Sequence, residues 1–179
     1  MSSPEEDLRQ RLSAVPEGHA GWSDLEKAAT DTLAHLFVPP LTTPQVQGRT
    51  YSGTDRRDAI FPNRNHGKQN AWGHLLTELD ARMVLFEFKN YTGPVGKDEV
   101  NQTRNYLSQP MGRLAIVIAR NGYEPGAYIK RNTVYSEEKK VILLLTVDDL
   151  KETLYIKERG EDPADLIMDA IERFYIAYE

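Results

Sequence analysis

Met83-Val84-Leu85-Phe86-Glu87-Phe88-Lys89-Asn90-Tyr91 is the stretch on which the fold turns. Its apolar start reads as a buried strand. Side chains alternate between the faces of a strand, so Val84, Phe86 and Phe88 share one face and Leu85, Glu87 and Lys89 the other. An acid and a lysine thus sit on one face of a segment otherwise composed like core. Burying either charge alone costs on the order of several kcal/mol, so both need partners, metal or water. The same Glu-x-Lys spacing recurs at Glu137–Lys139 and Glu138–Lys140. That second place is a polar run and reads as a solvated turn. A structural ion pair at a strand end is the plain alternative for the copy at Glu87.

The pattern around this strand predicts one mixed sheet. Helices are expected over about 22–37, 71–79, 97–108, 125–134, 148–157 and 163–177, and strands over about 44–50, 57–62, 82–89, 114–119 and 141–146. Strand 82–89, its helix and strand 114–119 make a βαβ unit, expected to be parallel. A leading helix, a hairpin and then βαβ units indicate an α/β protein, a mixed central sheet flanked by α-helices. No stretch rich in Ser, Gly or Pro separates two domains. Residues 1–21 are expected as an N-terminal extension and 22–179 as a single domain with C-terminal helices.

Asp58 is the second acid of interest. In Arg49-Thr50-Tyr51-Ser52-Gly53-Thr54-Asp55-Arg56-Arg57-Asp58-Ala59-Ile60-Phe61 the middle reads as a turn, and Asp58 opens the strand that follows. Aspartate is a poor strand former, so its place calls for a reason. It either closes the turn or serves a site.

Asp58 followed at a distance by Glu87-Phe88-Lys89 in a strand resembles the active-site pattern of the PD-(D/E)XK nuclease superfamily, the restriction-endonuclease-like fold. The similarity spans roughly residues 22–150. It takes in Glu26 on the first helix, the Arg-Arg-Asp hairpin, the Glu-Phe-Lys strand, Gln102 on the next helix and the later Ile142-Leu143-Leu144-Leu145-Thr146 strand. It is closest to the branch that contains methyl-directed restriction enzymes. One departure is Arg57 in place of the proline that precedes the aspartate in the family's motif.

The resemblance implies a metal-dependent endonuclease that hydrolyses DNA phosphodiester bonds, in defence against foreign DNA or in DNA repair. Hydrolysis needs a nucleophilic water, neutralisation of developing charge and help for the leaving oxygen. Hard cations such as Mg²⁺, or Mn²⁺ in its place, take oxygen ligands. By the resemblance Asp58, Glu87, the Phe88 backbone carbonyl and Glu26 hold metal, while Lys89 orients water and stabilises negative charge. Gln102 positions water or the lysine in that reading and is a solvated polar residue otherwise. Glu26 has its own alternative. Ser23-Asp24-Leu25-Glu26 is a good capping box, and Glu26 borders an apolar stripe of Trp22, Leu25, Ala29, Leu33 and Leu36. Arg49, Arg56, Arg57, Arg64, His66, Lys68 and Lys97 are candidate phosphate contacts, or ordinary surface charge. Two other readings are a non-catalytic binding module on the same fold and a Holliday-junction resolvase, which requires a dimer.

Composition bounds the rest. The 179 residues carry a net charge of −5 and no cysteine. That excludes disulfide scaffolds, thiol nucleophiles and cysteine-ligated metals. The charge is segregated: residues 1–48 balance to −4, 49–132 to +5 and 133–179 to −6. The cationic middle contains Asp58, Glu87 and Lys89 and can focus a polyanion. The four histidines show no paired metal-ligand spacing, and no Gly-rich phosphate loop is present. No apolar run approaches the roughly 20 residues of a membrane span, and the acidic start is unlike a signal peptide. A cytoplasmic location is expected. With little chain beyond the core, target choice is expected from loops, a homodimer or a partner subunit.

Overall fold

The computed structural model describes residues 2–49 and 56–178. In chain order the elements are α1 (Pro4–Ala14), a 3₁₀ turn at His19–Gly21, α2 (Trp22–Phe37), β1 (Gln45–Arg49), β2 (Arg56–Pro62), α3 (Ala71–Leu79) and β3 (Met83–Lys89). Then follow α4 (Lys97–Tyr106), a 3₁₀ turn at Gln109–Met111, β4 (Leu114–Ala119), α5 (Pro125–Glu138), β5 (Val141–Thr146), α6 (Val147–Glu158) and α7 (Ala164–Ala177).

The five strands form one sheet in sequence order. β1, β2 and β3 pair antiparallel, while β3, β4 and β5 pair parallel. The apolar runs dictate this. Every residue of β4 is buried, as suits a parallel strand covered on both faces. Val84, Phe86, Ile116, Ile118 and Leu143 face α1, α2, α6 and α7 in the larger core. Leu85, Val117 and Ile142 face the crossover helices α4 and α5 through Val100 and Val134. Each such buried side chain is worth about 1.5–3 kcal/mol. Trp72 packs edge-on against Phe37 and ties α3 to α2. No helix among the described residues is long and apolar enough to cross a membrane.

Three elements differ from the sequence expectation. The segment 1–21 holds a helix, α1, whose Leu8 and Leu12 belong to the larger core. Ser3 caps it by accepting the Glu6 N–H, and Pro4 opens it. Helix α5 runs on to Glu138, so the polar Glu-Glu-Lys-Lys run is no solvated turn; it is the last turn of a helix with Lys139 in the left-handed region. Helix α2 begins behind Gly21 rather than Ser23 and has no side-chain cap, so the Ser23–Glu26 capping box does not form. Its apolar stripe begins at Leu25; Trp22 lies beyond the sheet and stays 39% exposed.

Candidate active site

β2 and β3 run antiparallel with Ala59 opposite Phe86, which brings Asp58 beside Glu87. Two hydrogen bonds lock the pair across the strands. The Asp58 N–H donates to Glu87 Oε1 at 3.3 Å, and the Phe88 N–H donates to Asp58 Oδ2 at 2.8 Å. Glu87 is only 2% exposed. Burial, and next the Asp58 charge, push its carboxyl up to about 8, against an opposing pull from Lys89. The Lys89 ammonium, at the end of β3, donates to Gln102 Oε1 of α4 at 3.3 Å.

Asp58, Phe88 and Lys89 line a cavity of about 420 Å³ together with the buried Glu26 of α2. Four of the five residues expected in catalysis thus meet at the carboxyl end of β3: Asp58, Glu87 and Lys89 are brought together by strand pairing, and Glu26 of α2 lines the same cavity. Gln102, the fifth, contacts the lysine. Among the described residues no three of His, Cys, Asp and Glu converge closely enough to hold one ion. The hydrogen-bonded acid unit is Asp58 with Glu87.

The expected cationic contacts divide. Arg57 turns back to α4, where its guanidinium donates to the Tyr106 carbonyl at 3.1 Å. Lys97 is exposed at the start of α4. Arg64, His66 and Lys68 do not join the cavity. They follow the far end of β2, which at about 3.3 Å per residue lies roughly 13 Å from Asp58 at Pro62. Arg64 and His66 line a separate pocket with Met83 and Met111, and Lys68 another with Asp162 and Asp165. The side chains of Arg49 and Arg56 lie outside the described residues.

The structure adds residues that the sequence reading passed over. Asn90, next after Lys89 and 5% exposed, donates from Nδ2 to the carbonyls of Pro16 and Gly18 at 2.8 and 2.9 Å. Its own carbonyl accepts the Gly18 N–H at 2.8 Å. Arg120, after β4, donates to the carbonyls of Leu12 and Val15. The loop between α1 and α2 is thereby fastened over the ends of β3 and β4. Gly18 has φ +84, and a Cβ on Gly21 would lie 1.9 Å from the Pro16 oxygen, so this path requires both glycines. The loop delivers His19 and Trp22 to the cavity, and Tyr91 faces them from beyond β3. The Gly18-His19-Ala20-Gly21 spacing ahead of α2 is the signal that marks such a close-fitting loop.

No family model matches the chain. In sequence it is similar to an 80.3 kDa protein of Escherichia coli strain K12 assigned to transposon gamma-delta, with 31% identity over 117 residues. That match takes in 65% of this chain and 16% of the other, so the chain spans about a sixth of that protein's length. Among solved structures it is similar to restriction endonuclease FokI, with a TM-score of 0.55 and 10% identity over 89% of this chain and 32% of FokI. FokI bound to DNA matches with a TM-score of 0.51 at 9% identity, over 89% of this chain and 31% of that one. A five-stranded mixed sheet in this order, flanked by helices, is the restriction-endonuclease-like fold.

Proposed function

We propose that this chain is a divalent-metal-dependent endonuclease that hydrolyses DNA phosphodiester bonds. The observation that carries the reading is that Asp58 and Lys89 line one cavity at the end of β3 while the buried Glu87 is hydrogen-bonded to Asp58 beside it. A pseudoenzyme that uses the fold only for binding needs no such trio.

The donor set fits a hard cation. Asp58 and Glu87 offer carboxylate oxygens and Phe88 a backbone carbonyl, with no sulfur or imidazole among them. Burial and like charge hold the Glu87 proton at neutral pH, and a divalent cation is the charge that lets both acids ionise together. Bound there, Mg²⁺ or Mn²⁺ supplies charge neutralisation at the phosphate and lowers the pKa of a water. The protein's own groups do the rest. Lys89, fixed by Gln102, holds the attacking water in line and balances the charge that builds on the phosphoryl oxygens. Positioning is its first role. The water oxygen forms a new bond to phosphorus, one ester P–O bond breaks, and the leaving oxygen takes up a proton. Glu26, lining the same cavity, orders water there.

Both matched proteins are several times longer than the stretch that aligns. This supports reading the chain as a cleaving unit, with target choice made by loops, a second copy or a partner. The test is cleavage of plasmid, linear and branched DNA in Mg²⁺ or Mn²⁺, beside Glu87→Ala and Lys89→Ala. Wild type is expected to cut, and each variant to lose at least about 100-fold in rate. Binding of DNA without cleavage in either metal overturns the reading. Preferential cutting of four-way junctions redirects it to a resolvase, and cleavage that survives in both variants refutes the site.

A further inference from the structure

The cavity beside Asp58 and Lys89 is walled in an uncommon way for a site that tracks duplex phosphates. Its lining includes three aromatic side chains, Trp22, His19 and Tyr91, beside Lys89, Thr92 and the acids. Trp22 is 39% and Tyr91 41% exposed, large apolar faces that a folded chain ordinarily buries. They are also held in place. Trp22 sits at the fixed start of α2 with the His19 ring stacked on it, the centroids 6.4 Å apart and the planes at 25°. Glu99 of α4 lies against Tyr91, whose phenol is pushed up first by burial and next by the Glu99 charge. The loop beneath His19 and Trp22 is clamped by Asn90.

Charge points the same way. Duplex recognition through the backbone takes several cations, one for each phosphate neutralised. Among the described residues lining this cavity Lys89 is the one lysine or arginine, and it faces the carboxylates of Glu26 and Asp58. Such a wall offers little to a row of phosphates. Stacked pairs in a duplex present only their edges and backbone to a protein. A base freed from the stack presents a face, and aromatic rings bind that face whatever the base is.

Resting on the nuclease reading, we propose that Trp22 and Tyr91 stack an unpaired nucleobase next to the scissile phosphate, so that the site takes single-stranded or locally unpaired DNA in preference to intact duplex. His19 and Asn90 are positioning residues for that platform.

Trp22 provides a readout independent of cleavage. The other tryptophan, Trp72, is 1% exposed in the core, so it does not report on contacts at the cavity. The metal-free protein is titrated with a single-stranded oligothymidylate about a dozen nucleotides long, and with a blunt duplex of similar length. The single strand is expected to quench tryptophan fluorescence, the duplex to do so much less, and Trp22→Phe to lose the quench. Trp22→Ala and Tyr91→Ala are each expected to weaken single-strand binding roughly 5- to 100-fold. Equal quenching by both DNAs, or a quench retained in Trp22→Phe, overturns the proposal. So does efficient cleavage of duplex at rates that Trp22→Ala and Tyr91→Ala leave unchanged, and the nuclease reading then stands alone. Quenching as expected with no cleavage in Mg²⁺ or Mn²⁺ upholds the stacking platform and removes the nuclease reading.

Discussion

The chain writes glutamate, one residue, lysine at the end of β3 and again at the end of α5, and the two places behave oppositely. Glu87 is buried between strands beside a second acid, and its carboxyl is pushed up to about 8. Glu138 stands on a helix end, where Arg104 and next Lys140 hydrogen-bond to it and hold its carboxyl below the ordinary range. The α5 copy is electrically complete as it stands. The β3 copy is short of positive charge, with one lysine against two acids. The setting decides this. A strand sends residues two apart to the same face, so Glu87 and Lys89 point into one space. On α5 the motif's own lysine lies past the helix end, behind the left-handed Lys139, and Lys140 pairs back to Glu138 while Arg104 of α4 supplies the second partner. A motif of charged residues acquires its chemistry from the element that carries it.

The contrast can be broken most forcefully at Glu87. Glu87→Gln keeps the shape but removes the second charge, and cleavage is expected to fall by at least about 100-fold. The same variant tests the proton. The ordinary glutamate value is 4.5, so between there and about 8 the folded chain holds a proton that the unfolded chain releases. The contribution of Glu87 to stability is full below 4.5, is lost as pH rises to about 8, and is level beyond. Without divalent cation, Tm measured by calorimetry or circular dichroism is expected to fall by several degrees across that window in wild type. Glu87→Gln should flatten this slope; a slope that persists would assign the proton elsewhere.

A smaller effect is expected one residue past the lysine. Asn90→Ala leaves the Pro16 and Gly18 carbonyls without their donor, at a cost of about 1–3 kcal/mol in urea unfolding. It should also loosen the loop that carries Trp22, seen as a red shift of native-state fluorescence. Stability loss without that shift would mean that the clamp serves the core alone. The smallest effect belongs to the other copy of the motif. Glu138→Ala is expected to leave cleavage unchanged and to lower Tm by no more than about 3 °C. A large loss of activity there would erase the distinction between the two copies.

Much of this fold was legible because its strands are short apolar runs with clear ends. Leu114–Ala119 and Val141–Thr146 admit few other readings, and the helix 71–79 was bounded by an Asn cap and a left-handed Asp80. Helix α1 was harder to read. Its start carries Ser3-Pro4-Glu5-Glu6, yet only Leu8 and Leu12 mark its inner face among charged neighbours. Arg9 is buried there between its local partner Glu6 and Glu158 of α6, and the second pairing, 149 residues away, is one that no local pattern encodes. Asp58, Glu87, Lys89 and Gln102, which the resemblance singles out, lie close together at the end of β3. A helix wheel places Trp22 on the apolar stripe, yet it stays 39% exposed. Arg64 and Lys68 are near Asp58 in sequence only, because an extended strand carries them away.

The anchoring of α1 has a consequence for how the molecule comes into being. Neighbouring strands of the sheet are neighbours in sequence, so pairing can advance strand by strand as the chain is made. Helix α1 cannot follow that order. Ser3 and Arg9 both bind Glu158, and Arg9 lies over the Tyr155 ring, so the first helix gains these partners only after α6 has been made. The loop behind α1 forms a wall of the cavity. A ribosome-bound chain that has not reached residue 158 therefore holds its acid pair and lysine without the docked helix that steadies that wall, and the cavity is completed only after α6 has been made.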